Sequence, residues 1–339
     1  MINTRSYKEV CEELTKAGII AANGDIWTDL ESLKLGRYYQ LFFEMGQTFL
    51  DRQDQPFTIA PARLYFNNIN DQVNACARQT HGFKLIEFNL AVITQLFHDF
   101  YPENDLFDVP ALESVRAVAH RFEQAPAFWI FQELCLFIFL HEAGHLVQVG
   151  MANQSLYEEY ARSEPEQLGT RERHTREADA DCFAGSSLAD HLIAQIKLWS
   201  ASNRSLSQGE LENILGLTLS AIYLFFGEST AIRSSFYTEM DTHPHPIVRL
   251  FLVVMSFLGR LKIECDTPYR AVKVVEAAKR IAYTLLASRF GKPFSSVEKT
   301  FITNRVAILD YMKLLRSEIA HYPFSSSQFV PAPLDEPLL

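Results

Sequence analysis

An α+β fold, predominantly helical with one small antiparallel sheet, is what this sequence predicts, and three observations lead there. From Leu90 onward apolar residues recur at helical spacing through nearly the whole chain. Between Pro61 and Asn89 the pattern shifts to short runs of β-formers separated by turn residues. With 339 residues, 48% of them hydrophobic and 21% charged, the chain has the proportions of a globular protein with a sizeable core, not of a disordered or collagen-like one.

Taken in order, residues 1–60 read as two or three helices, with a turn around Ala22-Asn-Gly-Asp25 and with Leu30, Leu33, Leu35, Tyr38, Leu41 and Phe42 on one face. Strands are expected over 62–66, 73–78 and 83–88, divided by Asn67-Asn-Ile-Asn-Asp71 and Thr80-His-Gly82. Helices follow over 90–100, 110–123, 127–149, 174–199, 208–227, 244–263, 267–288 and 295–319. This divides the chain into an N-terminal helical segment (1–60), a core (61–263), C-terminal helices (264–325) and a flexible tail (326–339) rich in proline.

Composition also limits function. With 41 acidic against 31 basic side chains the formal charge is −10, so a broad footprint for nucleic acid is not expected. Five scattered cysteines without a CxxC pair do not make a disulfide framework and fit a reducing compartment. The first residues lack the apolar run of a signal peptide. The longest uncharged stretch, 213–227, falls short of the ~18–20 residues needed to cross a bilayer. A cytoplasmic protein with no transmembrane segment is expected.

The segment running from Phe128 to Leu140 is apolar almost all round, the mark of a helix buried in a core. It leads directly into His141-Glu-Ala-Gly-His145. Polar groups at the end of such a helix lose hydration, a cost that a bound metal offsets. Residues four apart share a helix face, so His141 and His145 can both reach one tetrahedral ion. Glu142 projects to one side, where it can take a proton from an attacking water. Small Ala143 and Gly144 leave room for a neighbouring element.

Further on, Glu177, Asp181, Ala184 and Leu188 lie along one stripe of a second helix. Solvated acids normally sit opposite the apolar stripe, so these two are expected to point inward at a positive partner. Glu177 as third ligand leaves a fourth position open, as a catalytic Zn2+ site requires. Asp181 would then hold the far nitrogen of a ligating histidine. The competing reading is an acidic helix start paired with Arg171, Arg173 or Arg176. In the third stretch, 241–249, Pro246 marks a helix start, and His243 is expected to stabilise the oxyanion of a tetrahedral intermediate. Arg249 would orient that histidine or pair with a site carboxylate, while His245 serves equally well as a turn cap.

In this order, His141-Glu-Ala-Gly-His145, Glu177-Ala-Asp-Ala-Asp-Cys-Phe-Ala184 and Thr242-His-Pro-His-Pro-Ile-Val-Arg249 resemble the motifs of gluzincin metallopeptidases, specifically the group that includes the CAAX prenyl proteases and the bacterial heat-shock membrane proteases. Val73-Asn-Ala-Cys-Ala77 followed by Phe83-Lys-Leu-Ile-Glu87 resembles that group's Val-Asn-Ala strand and the edge strand that holds substrate. The resemblance implies a zincin-like metallopeptidase core, zinc ligation by His141, His145 and Glu177, base catalysis by Glu142, support from Asp181 and transition-state assistance from His243. Without spanning helices the chain is more similar to a soluble relative. Phage-exclusion peptidases of the Lit type are one such group. Cytoplasmic proteases that act on repressors in stress or mobile-element regulons are a second, though these do not usually show the His-Pro and arginine element. The metzincin pattern fails, because Gln148 and Met151 stand where it needs Gly and His.

The function expected is a zinc-dependent endopeptidase acting on a protein or peptide substrate whose backbone adds to the sheet edge near 83–88. The alternative is a non-catalytic helical binding or scaffold protein with a structural zinc, closed by a fourth ligand such as His174 or Asp179. Segment 153–173 lies between the zinc motifs, placed to cover the cleft until an activating partner moves it.

Overall fold

The computed structural model describes residues 5–20, 29–52, 57, 59–68, 74–101, 107–151, 169–202, 205–232, 235–238, 242–290, 295–323 and 325–326. The turn expected at 22–25, most of the covering segment at 153–173, and the tail from 327 onward lie outside the described residues.

Helix α1 (Tyr7–Lys16) starts at a capping box: the Ser6 hydroxyl accepts the Glu9 N–H, and the Glu9 carboxylate accepts the Ser6 N–H. The stretch at 30–35 is not part of a helical face as expected. Leu30–Ser32 forms one 3-10 turn, and α2 (Gly36–Leu50) starts only after it. That start sets the register, so Tyr39, Phe42 and Phe43 are buried while Leu41 points outward.

Strands β1 (Ala62–Asn67), β2 (Ala75–Thr80) and β3 (Phe83–Asn89) make one sheet in the order β1-β3-β2. β2 and β3 form the expected antiparallel hairpin, turned by His81 and Gly82 with φ of 49° and 80°, the left-handed pair that a two-residue hairpin turn needs. β1, however, lies parallel to β3, with Leu64 beside Ile86 and Phe66 beside Phe88. The sheet is therefore mixed, not antiparallel: β1 and β2 flank β3 on opposite sides, and the chain returns from β2 to β3 through the hairpin. A second expectation changes with it. The strand at 83–88 is central, with both its edges paired, so the edge strands of this sheet are β1, buried throughout, and β2, half-buried.

β3 runs straight into α3 (Leu90–Phe100), followed by α4 (Glu113–Arg121) and α5 (Pro126–Met151). Five long helices follow: α6 (Thr170–Ala201), α7 (Gln208–Ile232), α8 (Pro246–Glu264), α9 (Ala271–Phe290) and α10 (Ser295–His321), which closes the bundle. Helix α5 is the hub. Trp129 donates to Thr218 of α7 at 3.1 Å, and Phe137 meets Phe225 and Phe226 farther along the same helix. Gly144 lies so close to α6 that a Cβ there would be 3.1 Å from the Ala180 Cα, which is the room its small size was expected to leave.

The expectation that no helix reaches spanning length needs correcting. Pro126–Val149 is long and apolar enough to cross a membrane by length and composition, because Glu133 and Glu142 interrupt its uncharged runs without making it polar. Its apolar stretch is 83% buried inside the molecule, so protein covers it here. All five cysteines are free.

Candidate metal centre

Three helices bring the site together. α5 supplies His141, Glu142 and His145; α6 crosses it at Gly144 and supplies Glu177 and Asp181; α8 begins beside them and supplies Arg249. Gly185, one turn beyond Asp181, allows the α6–α8 approach, since a Cβ there would be 2.6 Å from the Val253 carbonyl oxygen.

The two imidazoles converge. His141 Nε2 lies 3.3 Å from Glu177 Oε2, and His145 Nε2 lies 3.5 Å from Glu177 Oε1. One donor atom from each of these three residues lies within 4.8 Å of the other two, the single such group among the described residues. The spacing suits a cation: the separations exceed the 2.7–3.2 Å of ordinary N–H···O bonds, and the buried Oε2 of Glu177 has no hydrogen-bond partner. Two imidazole nitrogens with one carboxylate are a donor set that divalent transition metals take up.

Asp181 lies beside His141 on the side away from Glu177. Its Oδ1 is 3.0 Å from His141 Nδ1, off the line of the ring N–H, and Arg249 grips the same carboxylate through Nε at 2.7 Å and Nη2 at 2.8 Å. Of the two roles foreseen for Arg249, pairing with a site carboxylate is the one observed. Arg249 also lies over the Phe226 ring, 5.3 Å from its centroid. Burial alone would raise the Asp181 pKa; Arg249 and His141 outweigh it and hold the carboxyl below its ordinary value. Burial likewise opposes ionisation of Glu177, yet His145 and His141 keep it well below the carboxylate range. His141 shows the converse: desolvation depresses an imidazole, but Asp181 and Glu177 overcome it and lift the pKa to about 10.

Glu142 is buried and lies about 100° round α5 from His141, outside the His141-His145-Glu177 group. It acts electrostatically on Cys76 of β2 and on Arg249. His243 sits at the rim, its side chain 47% exposed, with Nε2 3.4 Å from Glu177 Oε2 and Nδ1 2.7 Å from the Thr242 hydroxyl. Partial burial, Arg249 and His141 push its pKa below the ordinary histidine value despite Glu177. His245 takes the capping role: its Nδ1 accepts the Ile247 N–H at the start of α8.

The two residues named as closing ligands for a structural site are committed elsewhere. His174 shares a 2.6 Å hydrogen bond with the Tyr311 hydroxyl, and Asp179 accepts from Ser325 and Ser326. Arg171, named as a neutralising partner for the acids of α6, pairs with Glu318. Gln148, which the sequence did not single out as a site residue, places its Oε1 3.0 Å from His145 Nδ1; its position three residues after His145, on the same face, was the available signal.

No family model matches this chain, and no curated protein or solved structure does either.

Proposed function

We propose that the protein is a zinc-dependent endopeptidase of the gluzincin kind. One observation carries the reading: the Nε2 atoms of His141 and His145 converge on the Glu177 carboxylate, with Glu142 next to them on the same helix. Zinc is the ion that two imidazoles and a carboxylate with an open fourth position favour. Bound there, it would polarise a peptide carbonyl and acidify a water molecule.

The chain's own residues supply the remaining chemistry. Glu142, outside the ligand group, takes a proton from the attacking water and passes it to the leaving amine. His243, at the exposed rim with its nitrogen facing the site, donates to the oxygen that gains charge. Arg249 fixes Asp181, which in turn faces the ring nitrogen of His141 away from Glu177. The half-buried β2, within electrostatic reach of Glu142, offers its edge to an extended substrate, whose backbone pairs with it as an added strand. The motif likeness favours phage exclusion or stress regulation as the setting. A scaffold with a structural zinc has less support, since His174 and Asp179, the residues that could close it, are hydrogen-bonded to Tyr311 and Ser325.

Proteome-wide mapping of new N-termini after expression of wild type and Glu142→Gln tests the reading. Cleavages are expected with wild type and fall by at least about 100-fold in the variant. Both purified proteins are expected to carry one zinc. Full hydrolysis by Glu142→Gln, or wild type purified without zinc, refutes the proposal.

A further inference from the structure

His145 is held from behind by a chain of hydrogen bonds that ends beyond α10, and the acceptors fix the direction of every link. Ser325 donates its hydroxyl to Asp179 Oδ1, and Ser326 donates both its N–H and its hydroxyl to Asp179 Oδ2, each at 2.7 Å. Gln148 donates its Nε2 to the same Oδ2 at 2.7 Å and to the Arg176 carbonyl at 3.0 Å. Both partners of that nitrogen are acceptors, so the amide stands one way round, with Oε1 turned to His145 Nδ1 at 3.0 Å. An amide oxygen only accepts. Nδ1 of His145 therefore carries the ring proton, and the lone pair of the neutral imidazole is left on Nε2, the atom that faces Glu177.

Every member of this chain behind His145 is buried: Gln148, Asp179, Ser325 and Ser326. Ser325 and Ser326 mark the point where the sequence predicted a mobile tail to begin, yet they are packed against α6. The same stretch of α6 is strapped to α10 by Arg171–Glu318, by Thr175–Glu318 at 2.8 Å and by His174–Tyr311 at 2.6 Å. These straps touch neither Gln148 nor His145, so they hold the helices together without acting on the ring.

We infer that Gln148 and Asp179 are positioning residues that set the tautomer and orientation of His145 for a cation, and that Ser325-Ser326 locks them, making the C-terminal segment part of the metal centre. The inference rests on the metal reading of the site. Outer partners of this type govern metal retention because a misdirected imidazole presents N–H where the ion needs a lone pair.

The test uses the full chain and two ions: Co2+, followed by its visible absorption, and Zn2+, by competition with a chelator. Gln148→Met keeps bulk and removes the acceptor; it is expected to weaken both ions by about 10- to 100-fold and to alter the Co2+ spectrum. The pair Ser325→Ala with Ser326→Ala is expected to shift affinity the same way by a smaller factor, and carries the test if Gln148→Met does not fold. Tyr311→Phe, which cuts a strap alone, is expected to lower the melting temperature with ion affinity unchanged. Wild-type affinity and spectrum in the folded Gln148 or serine variants overturn the inference, as does equal weakening by Tyr311→Phe. Wild type that takes up neither ion removes the metal reading and this inference together, an outcome distinct from uptake that the Gln148 variant leaves intact.

Discussion

About two turns apart on α5, Glu133 and the His141-Glu142-His145 group bury polar side chains in opposite circumstances. Glu133 is 2% exposed, its Oε2 has no hydrogen-bond partner, and burial alone raises its pKa to about 8. It is a neutral acid at neutral pH. Two turns further along, α6 and α8 bring Glu177, Asp181 and Arg249 to the histidines, and both acids are held below their ordinary pKa although Asp181 is buried and Glu177 largely so. The difference lies in the neighbours: Arg249 and the histidines face the two acids of α6, whereas Glu133 of α5 meets burial alone. A lone acid answers desolvation by keeping its proton, whereas one met by cations keeps its charge and can offer lone pairs to an ion.

The largest effect should come from breaking the compensated end. Arg249→Met leaves Asp181 buried without its counter-charge and is expected to lower unfolding free energy by about 3–5 kcal/mol, read by urea denaturation of the metal-free protein. Adding Asp181→Leu should recover much of that loss. Unchanged stability in Arg249→Met would show that the pair does not compensate Asp181.

The uncompensated end makes a prediction about pH. Unfolded, Glu133 ionises near 4.5, whereas folded it holds its proton to about 8, so its contribution to stability is fully present below the first value and is lost as pH rises through the second. Between pH of about 5.5 and about 7.5 the loss amounts to about 2.5 kcal/mol. Glu133→Gln has no proton to lose, so its stability is expected to fall less steeply over that window; denaturant melts at the two pH values check it, and identical slopes would refute it. Smallest is Gly185→Ala, whose new methyl meets the Val253 carbonyl and pushes α6 from α8. A loss of about 1–3 kcal/mol is expected in thermal or urea melts, and a variant as stable as wild type would show that the crossing is not tight.

The parts of this molecule legible in the sequence are those encoded by local period. The helices from Leu90 onward follow from apolar spacing, and His141, His145, Glu177 and Asp181 follow because polar residues stand on stripes that ought to be apolar. Arg249 was legible as a member of the site, though only coordinates choose Asp181 over His243 as its partner. Strand order was not legible: three short strands carry no local sign that β1 passes to the far side of β3, and the expected edge at 83–88 failed for that reason. Nor were Ser325 and Ser326, since serines before a proline-rich run have the composition of a solvated tail and their partner Asp179 lies 146 and 147 residues away. Long-range pairing of this kind leaves no trace in spacing.

That distance also orders events in time. A chain emerges from synthesis N-terminal end first, so α5 and α6 exist long before the two serines that brace Asp179. Until those arrive, or if a stop codon or protease removes them, the second histidine stands with its rear support unfinished. The support behind His145 is then finished only after the last described helix has been made.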